Sequence, residues 1–177
     1  MNVRSHMSSK AIVGPSRVHG VGVFAISDIE AGNPVLRIDD SRVVDVAHPL
    51  RSDAGEYEFH CDYLAGGKVV LMASPERHIN HSCSPNTYVK TIGQSRYVFA
   101  LRKIIAGEEI TYDYCLNSAG DTVWECHCGA PDCRRSIHSD FFHLPLPKQL
   151  AYLPLLDTWY LEEHGNAVSE LLAAGGV

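Results

Sequence analysis

The sequence predicts a mostly β protein built from several small sheets and closed by a helical tail. Three observations predict it. Short runs rich in β-branched and aromatic residues recur along the body, and Gly, Pro, Asn or Ser clusters bound most of them. Long amphipathic helical patterns are absent before residue 148. Leu144-Pro145-Leu146-Pro147 then breaks the chain, because proline disfavours helical geometry in the residue before it.

Taken in order, the strand candidates are Lys10–Val13, Pro34–Ile38, Glu56–Cys61, Lys68–Met72, Asn86–Lys90, Arg96–Leu101 and Glu109–Tyr112. A near-repeat at a separation of 75 residues adds to them: Phe24-Ala25-Ile26-Ser27-Asp28-Ile29-Glu30-Ala31-Gly32 echoes Phe99-Ala100-Leu101-Arg102-Lys103-Ile104-Ile105-Ala106-Gly107, with apolar Val35 and Ile110 in matching places. Each copy reads as a strand, an irregular link, a turn at Ala-Gly and a second strand. Nothing repeats a third time, so this is a local unit used twice and not a solenoid. Beyond the proline break, Lys148–Glu163 reads as helical, bent or divided at Pro154, and Asn166–Ala174 as a last short helix. The tail is either an appendage packed on the body or a surface for a homodimer or partner.

The 177 residues suit one domain with a sizeable core and a small appendage. The chain has no apolar run near the roughly 20 residues that cross a bilayer and no signal-peptide core at its start. The expected protein is soluble and intracellular, with no membrane association. Ser5-His6-Met7 reads as a cloning scar, which sets residues 1–6 aside and puts the native start at Met7. A formal net charge of −6 argues against nucleic acid as the main partner and favours basic segments such as lysine-rich tails. Six cysteines are compatible with three disulfides in a secreted protein; with no secretion signal and three of them within eight residues, metal ligation is the favoured reading.

Those three are Cys126, Cys128 and Cys133. Structural zinc is held almost always by four ligands in a tetrahedron, so one ligand is missing. Cys83, in Asn80-His81-Ser82-Cys83-Ser84-Pro85-Asn86, is the best candidate, with His138 or His127 as alternatives and unligated buried thiols as the plain one. A site of four thiolates is closed, which makes such a zinc structural.

Asn80-His81-Ser82-Cys83-Ser84-Pro85-Asn86, Gly107-Glu108-Glu109-Ile110-Thr111-Tyr112-Asp113-Tyr114 and His19-Gly20-Val21-Gly22-Val23-Phe24-Ala25 each have a plain reading alone: a satisfied turn, a half-buried strand and a flexible loop. Together they resemble the signature of SET-domain protein-lysine methyltransferases. The resemblance spans roughly Ala11 to Ile137, in a compact, bacterial-type form with no pre-SET region. It implies a SET domain over 8–116 with a pseudoknot, a post-SET zinc segment over 122–138 and a helical extension over 144–177.

The resemblance further implies S-adenosylmethionine as cosubstrate, contacted by Gly20, Val21, Gly22, Arg77, Asn80, His81, Tyr114 and Trp124, with Trp124 covering the adenine ring. Tyr114 takes the place of the catalytic tyrosine. Tyr112 takes the phenylalanine/tyrosine switch position, which favours mono- or dimethylation. Tyr57 is assigned to the substrate lysine channel, against plain packing. Glu109 belongs to a polar network and is not a general base. One Zn2+ is expected on Cys83, Cys126, Cys128 and Cys133. The implied substrate is a lysine in a basic protein or peptide, a histone tail among them, in the cytoplasm of a bacterium or the nucleus of a eukaryote. The alternatives are an inactive SET-like module that only reads a peptide, and a zinc-stabilised interaction protein unrelated to methylation.

Overall fold

The computed structural model describes residues 10–175. Residues 1–6, read above as a cloning scar, lie outside them. Strands β1 (Ala11–Pro15) and β2 (Val21–Ala25) form an antiparallel hairpin. Next come β3 (Pro34–Arg37), the two-residue β4 (Val43–Val44), β5 (Cys61–Leu64) and β6 (Lys68–Leu71). The two-residue β7 (Asn80–His81), the hairpin β8 (Thr87–Ile92) and β9 (Ser95–Ala100), and β10 (Glu109–Tyr112) complete the body. β11 (Ala119–Glu125) and β12 (Ser136–Asp140) make a separate ribbon, followed by α1 (Leu146–Tyr152) and α2 (Thr158–Gly175). The strands group as β1-β2-β10-β7, β3-β9-β8, β4-β6-β5 and β11-β12, the mostly β arrangement of small sheets that the sequence predicts.

The 75-residue repeat is a pair of units that clasp each other. β2 pairs with β10 and β3 with β9, both antiparallel, and the two links meet at a bridge between Ile29 and Ile104. Their hydrogen bonds match under exchange of the units. Ala25 N–H donates to Glu108 O and Ala100 N–H to Asn33 O; Gly107 N–H donates to Ala25 O and Gly32 N–H to Ala100 O. Gly32 and Gly107 both have positive φ, +77° and +83°, a conformation costly for other residues. The apolar side chains at equivalent places, Ile29 with Ile104 and Val35 with Ile110, are fully buried in the first core with Val23, Val98 and Ala100. This unit fixes β10, and β10 carries the site.

One strand candidate does not hold. Glu56–Cys61 is not extended: Glu58–His60 forms a 3-10 turn, and only Cys61 begins β5. The alternation of Tyr57 and Phe59 looks like a half-buried strand face, yet both rings stack outward, 44% and 75% exposed, so no core contact holds the segment straight.

The tail divides where Pro154 predicts. Leu153–Leu155 is a 3-10 turn between α1 and α2, and α2 is kinked at His164. It is an integral part of the molecule: Tyr152, Leu156, Tyr160, Val168 and Leu171 share a second core with Leu116, Cys126, Ile137 and Phe141. No helix among the described residues is long and apolar enough to cross a membrane.

Candidate active site and cysteine cluster

β7 runs parallel to β10, with Asn80 beside Thr111 and His81 beside Tyr112, and Ser82 N–H donates to Tyr112 O. The two segments that a pseudoknot would cross thus lie side by side. Asn80 is 9% exposed and faces the first hairpin. Its Nδ2 lies 3.2 Å from His19 O, 3.0 Å from Val21 O and 2.8 Å from Glu109 Oε1. Ser16 Oγ donates to the same carboxylate at 2.7 Å. Asn80 therefore ties the Gly20-Val21-Gly22 loop to β10, with Glu109 as the network acceptor that the sequence predicts. A Cβ on Gly22 would lie 2.3 Å from Glu109 Oε1, so this position is closed to larger residues without displacing the network.

His81 is 7% exposed. Its Nδ1 accepts the Tyr114 N–H at 3.1 Å and its Nε2 faces Cys83 Sγ at 3.5 Å. Those partners specify a neutral ring with its proton on Nε2. Burial is the main cause that holds the ring down to about 4; Asp113 opposes it, and the charges of Arg134 and Lys148 add to it. His81 thus fixes the backbone of Tyr114 and spaces it from the sulfur cluster.

Tyr112 ends β10 and Tyr114 opens the turn just beyond it. Their ring centroids lie 4.9 Å apart. The Tyr114 hydroxyl donates to Ile79 O at 2.7 Å, and burial pushes its pKa up to about 12. Burial, with the Asp62 charge nearby, also raises Tyr112. Trp124 on β11 packs perpendicular to His81 at 5.7 Å and lies 6.1 Å from Tyr114. Tyr112, Tyr114, Trp124, Arg77 and Ile79 line one cavity of about 730 Å³, within the size range of small-molecule sites.

On the other side of His81, Cys83, Cys126, Cys128 and Cys133 bring their sulfurs within 4.8 Å of one another. Thiolates at about 2.3 Å from one zinc lie roughly 3.8 Å apart, and Cys83 Sγ to Cys126 Sγ is 3.9 Å. The cluster fits one tetrahedral ion. Cys83 is the fourth member that the sequence favours; His127 is 67% exposed in its side chain and pairs with Glu125, while His138 stacks on His143. Burial pushes the Cys83 thiol up to about 11 and raises Cys126. Burial opposes the shift at Cys128, yet backbone N–H donors at Cys83 and Ala130 bring that thiol down to about 7. A bound cation would deprotonate such thiols.

The cluster is linked to the tyrosines by a pair that sequence reasoning passed over. Asp113 is fully buried, and Arg134 donates to both of its oxygens at 2.7 and 2.8 Å. Tyr152 of α1 adds a hydroxyl contact at 3.3 Å, and Lys148 donates to Cys83 O. The only sequence signal for this pair was position: Asp113 lies inside the aromatic-Asp-Tyr motif and Arg134 directly follows Cys133.

Of the predicted site residues, the cavity gathers Tyr112, Tyr114, Arg77 and Trp124. Asn80, His81 and the Gly20-Val21-Gly22 loop do not line it: His81 packs on Tyr114 and Trp124, and Asn80 bonds the loop to Glu109. Tyr57 does not line the cavity; its ring stacks on Phe59 at 5.2 Å, and it is Phe59 that lines the cavity. The sequence reading also missed Trp159, Glu163 and His164 of α2, which line it too.

A family model described as the SET domain matches residues 20–115, more than half of the chain. Human histone-lysine N-methyltransferase 2B is 35% identical over 145 residues, covering 74% of this chain and 5% of that protein. The H3 lysine-4 specific histone-lysine N-methyltransferase of Schizosaccharomyces pombe is 36% identical over 132 residues, covering 68% of this chain and 14% of that protein. A crystal structure of KRYPTONITE in complex with mCHG DNA and SAH matches with a TM-score of 0.53 at 27% identity, covering 70% of this chain and 28% of that one. The chain spans a small part of the length of these curated relatives. The matched segment contains the Asn80–Cys83 turn, the β7–β10 pairing and the Tyr112/Tyr114 pair, and by that match the chain belongs to the SET-domain family.

Proposed function

We propose that the chain transfers a methyl group from S-adenosylmethionine to the side-chain amine of a lysine in a basic protein segment, a histone tail being the first class to test, and adds mainly one or two methyl groups. The observation that carries this reading is Tyr114: a half-buried tyrosine whose hydroxyl proton is engaged by Ile79 O, beside a second tyrosine in a ligand-sized cavity. Relatives named as histone-lysine methyltransferases support it.

The residues present suit the cosubstrate. Arg77 offers a cation for a carboxylate, Trp124 an aromatic face, and Gly20 leaves open space beside its loop. When bound, S-adenosylmethionine supplies a sulfonium methyl as the electrophile. Because Tyr114 gives its proton to Ile79 O, its oxygen presents acceptor lone pairs to the cavity. With its pKa up at about 12 it stays protonated at neutral pH, so its work is to orient and not to take a proton. A lysine amine reacts only when neutral, from an ordinary pKa of about 10.4. Enclosure by Tyr112, Tyr114 and Phe59 lowers that value by desolvation, and the proton leaves to water. The Tyr112 hydroxyl holds a water in the room that a growing methylammonium would need, which favours low methylation states. The four cysteines suit one structural zinc that clips the β11–β12 ribbon to the Asn80–Cys83 turn; no chemical step passes through it.

Net charge favours a protein over a nucleic acid as partner. That substrate class goes with an intracellular setting, cytoplasmic in a bacterium and nuclear in a eukaryote. A homodimer through the extension has little support, since Leu156, Tyr160, Val168 and Leu171 are buried within the chain. The test is transfer of labelled methyl from S-adenosylmethionine to purified histones and to whole-cell lysate, read by mass spectrometry. Label on lysine supports the proposal. Cosubstrate binding with no transfer to any protein would instead support an inactive peptide reader, and no binding would reject both.

A further inference from the structure

The cavity lined by Tyr112 and Tyr114 is also lined by two other, distant parts of the chain. One is the β5 region, where Phe59 and Tyr63 are 75% and 57% exposed. The other is α2, with Trp159 and Glu163. Glu163 Oε1 reaches across to accept the Gly66 N–H at 2.6 Å, in the turn that follows β5. Its partner is a neutral backbone amide. No cation pairs with Glu163 among the described residues, so its carboxylate lines the cavity unneutralised, together with the exposed rings of Phe59 and Tyr63. Of the other acids of the lining, Asp62 pairs with Arg96, Asp157 accepts from Thr91 and Thr158 N–H, and Glu76 accepts from the Asp39 and Ala73 N–H groups, while Glu58 accepts from the Tyr63 hydroxyl and Asp121 lies on the exposed β11.

We propose that Glu163 recognises a basic side chain flanking the target lysine, which makes the C-terminal extension a specificity element of the site. This rests on the methyl-transfer reading for the word target. A guanidinium or ammonium at the mouth would exchange the Gly66 amide for a charge-assisted bond to Glu163, while its stem lies on Phe59 or Tyr63. A substrate with neutral flanks gains nothing from Glu163. The extension sits in the second core, so this charge is carried on a fixed support and not on a loose tail.

Glu163→Gln tests the charge alone, because the amide oxygen still accepts from Gly66. The probes are two lysine peptides identical except for arginine or glutamine beside the lysine. Binding to the intact chain is followed by calorimetry and methyl transfer by mass spectrometry. The expected result is that Glu163→Gln weakens the arginine peptide by about tenfold in affinity and KM, the scale of one charged hydrogen bond, with kcat and the glutamine peptide unchanged. Equal behaviour of both peptides in native protein and variant overturns the proposal. An equal rise in rate for both peptides in Glu163→Gln also overturns it, and makes the Gly66 contact a latch. If the arginine peptide binds in a Glu163-dependent way with no methyl transferred, the recognition stands and the enzymatic reading fails.

Discussion

Replacing Arg134 by methionine isolates the link between the cysteine cluster and the tyrosines. The pair it breaks is Arg134 with Asp113, whose side chains are 14% and 0% exposed, joined by two bonds of 2.7 and 2.8 Å. Removing the cation leaves a carboxylate in the interior whose remaining polar neighbours, among the described residues, are the Tyr152 hydroxyl, the Cys115 N–H and the His81 ring. Breaking one side of such a buried pair costs about 3–5 kcal/mol. At about 2–4 °C per kcal/mol for a domain of this size, the midpoint is expected to fall by roughly 10 °C. The assay is chemical and thermal unfolding with zinc in excess, with zinc content measured on the same samples to separate this effect from loss of metal. Asp113→Asn in the same background removes the orphaned charge and is expected to recover part of the loss, with a coupling of about 1–3 kcal/mol. A shift under about 1 kcal/mol with the metal retained would refute the claim that this pair holds the two halves of the site together.

Further outcomes follow from the same geometry. Metal analysis is expected to return about one zinc per chain, and Cys83→Ser to lose it along with order in the β11–β12 ribbon, since metal binding and local folding are coupled; full zinc in that variant would remove Cys83 from the site. Gly22→Ala places a methyl 2.3 Å from Glu109 Oε1, and is expected to destabilise by about 1–3 kcal/mol and weaken cosubstrate binding by calorimetry. Tyr112→Phe is expected to shift products toward a higher methylation state without abolishing activity, as read by mass spectrometry; efficient trimethylation by the native protein would refute the channel reading. The rate is expected to rise with pH above neutrality as the lysine amine loses its proton. Tyr114, whose pKa is raised from 10.0 to about 12, adds no ionisation in that range. Because the unfolded tyrosine ionises first, its contribution to stability is present below about pH 10 and is lost between there and about pH 12.

Much of this was legible in the chain because its signals are local. The 75-residue repeat, the Ala-Gly turns and the apolar positions at Val35 and Ile110 each report a backbone requirement that short sequence can carry. β10 is found where Glu109–Tyr112 predicts it. The misses have a common cause: they depend on what a side chain packs against. Tyr57 and Phe59 alternate like a strand, but they stack on each other outside the core. β11 is exposed along almost all of Ala119–Glu125, so it lacks the alternation that marks a half-buried strand. The amphipathic tail is visible as helix, yet nothing in its pattern says that Trp159 and Glu163 would line one cavity with Tyr112 and Tyr114. The Asp113–Arg134 pair joins positions 21 residues apart through the fold, beyond any motif.

If the cavity places a lysine amine for methyl transfer under the Tyr114 hydroxyl, the rate depends on that hydroxyl. The most direct measurement is mass spectrometry of a histone substrate after incubation with S-adenosylmethionine and either the native protein or Tyr114→Phe, with both proteins shown to be equally folded and to bind the cosubstrate. The expected result is one or two methyl groups on lysine with the native protein, and a rate lower by about 100-fold or more with Tyr114→Phe, the scale of losing one positioned catalytic hydroxyl. Near-native transfer by Tyr114→Phe, or methyl groups on a residue other than lysine, would contradict it.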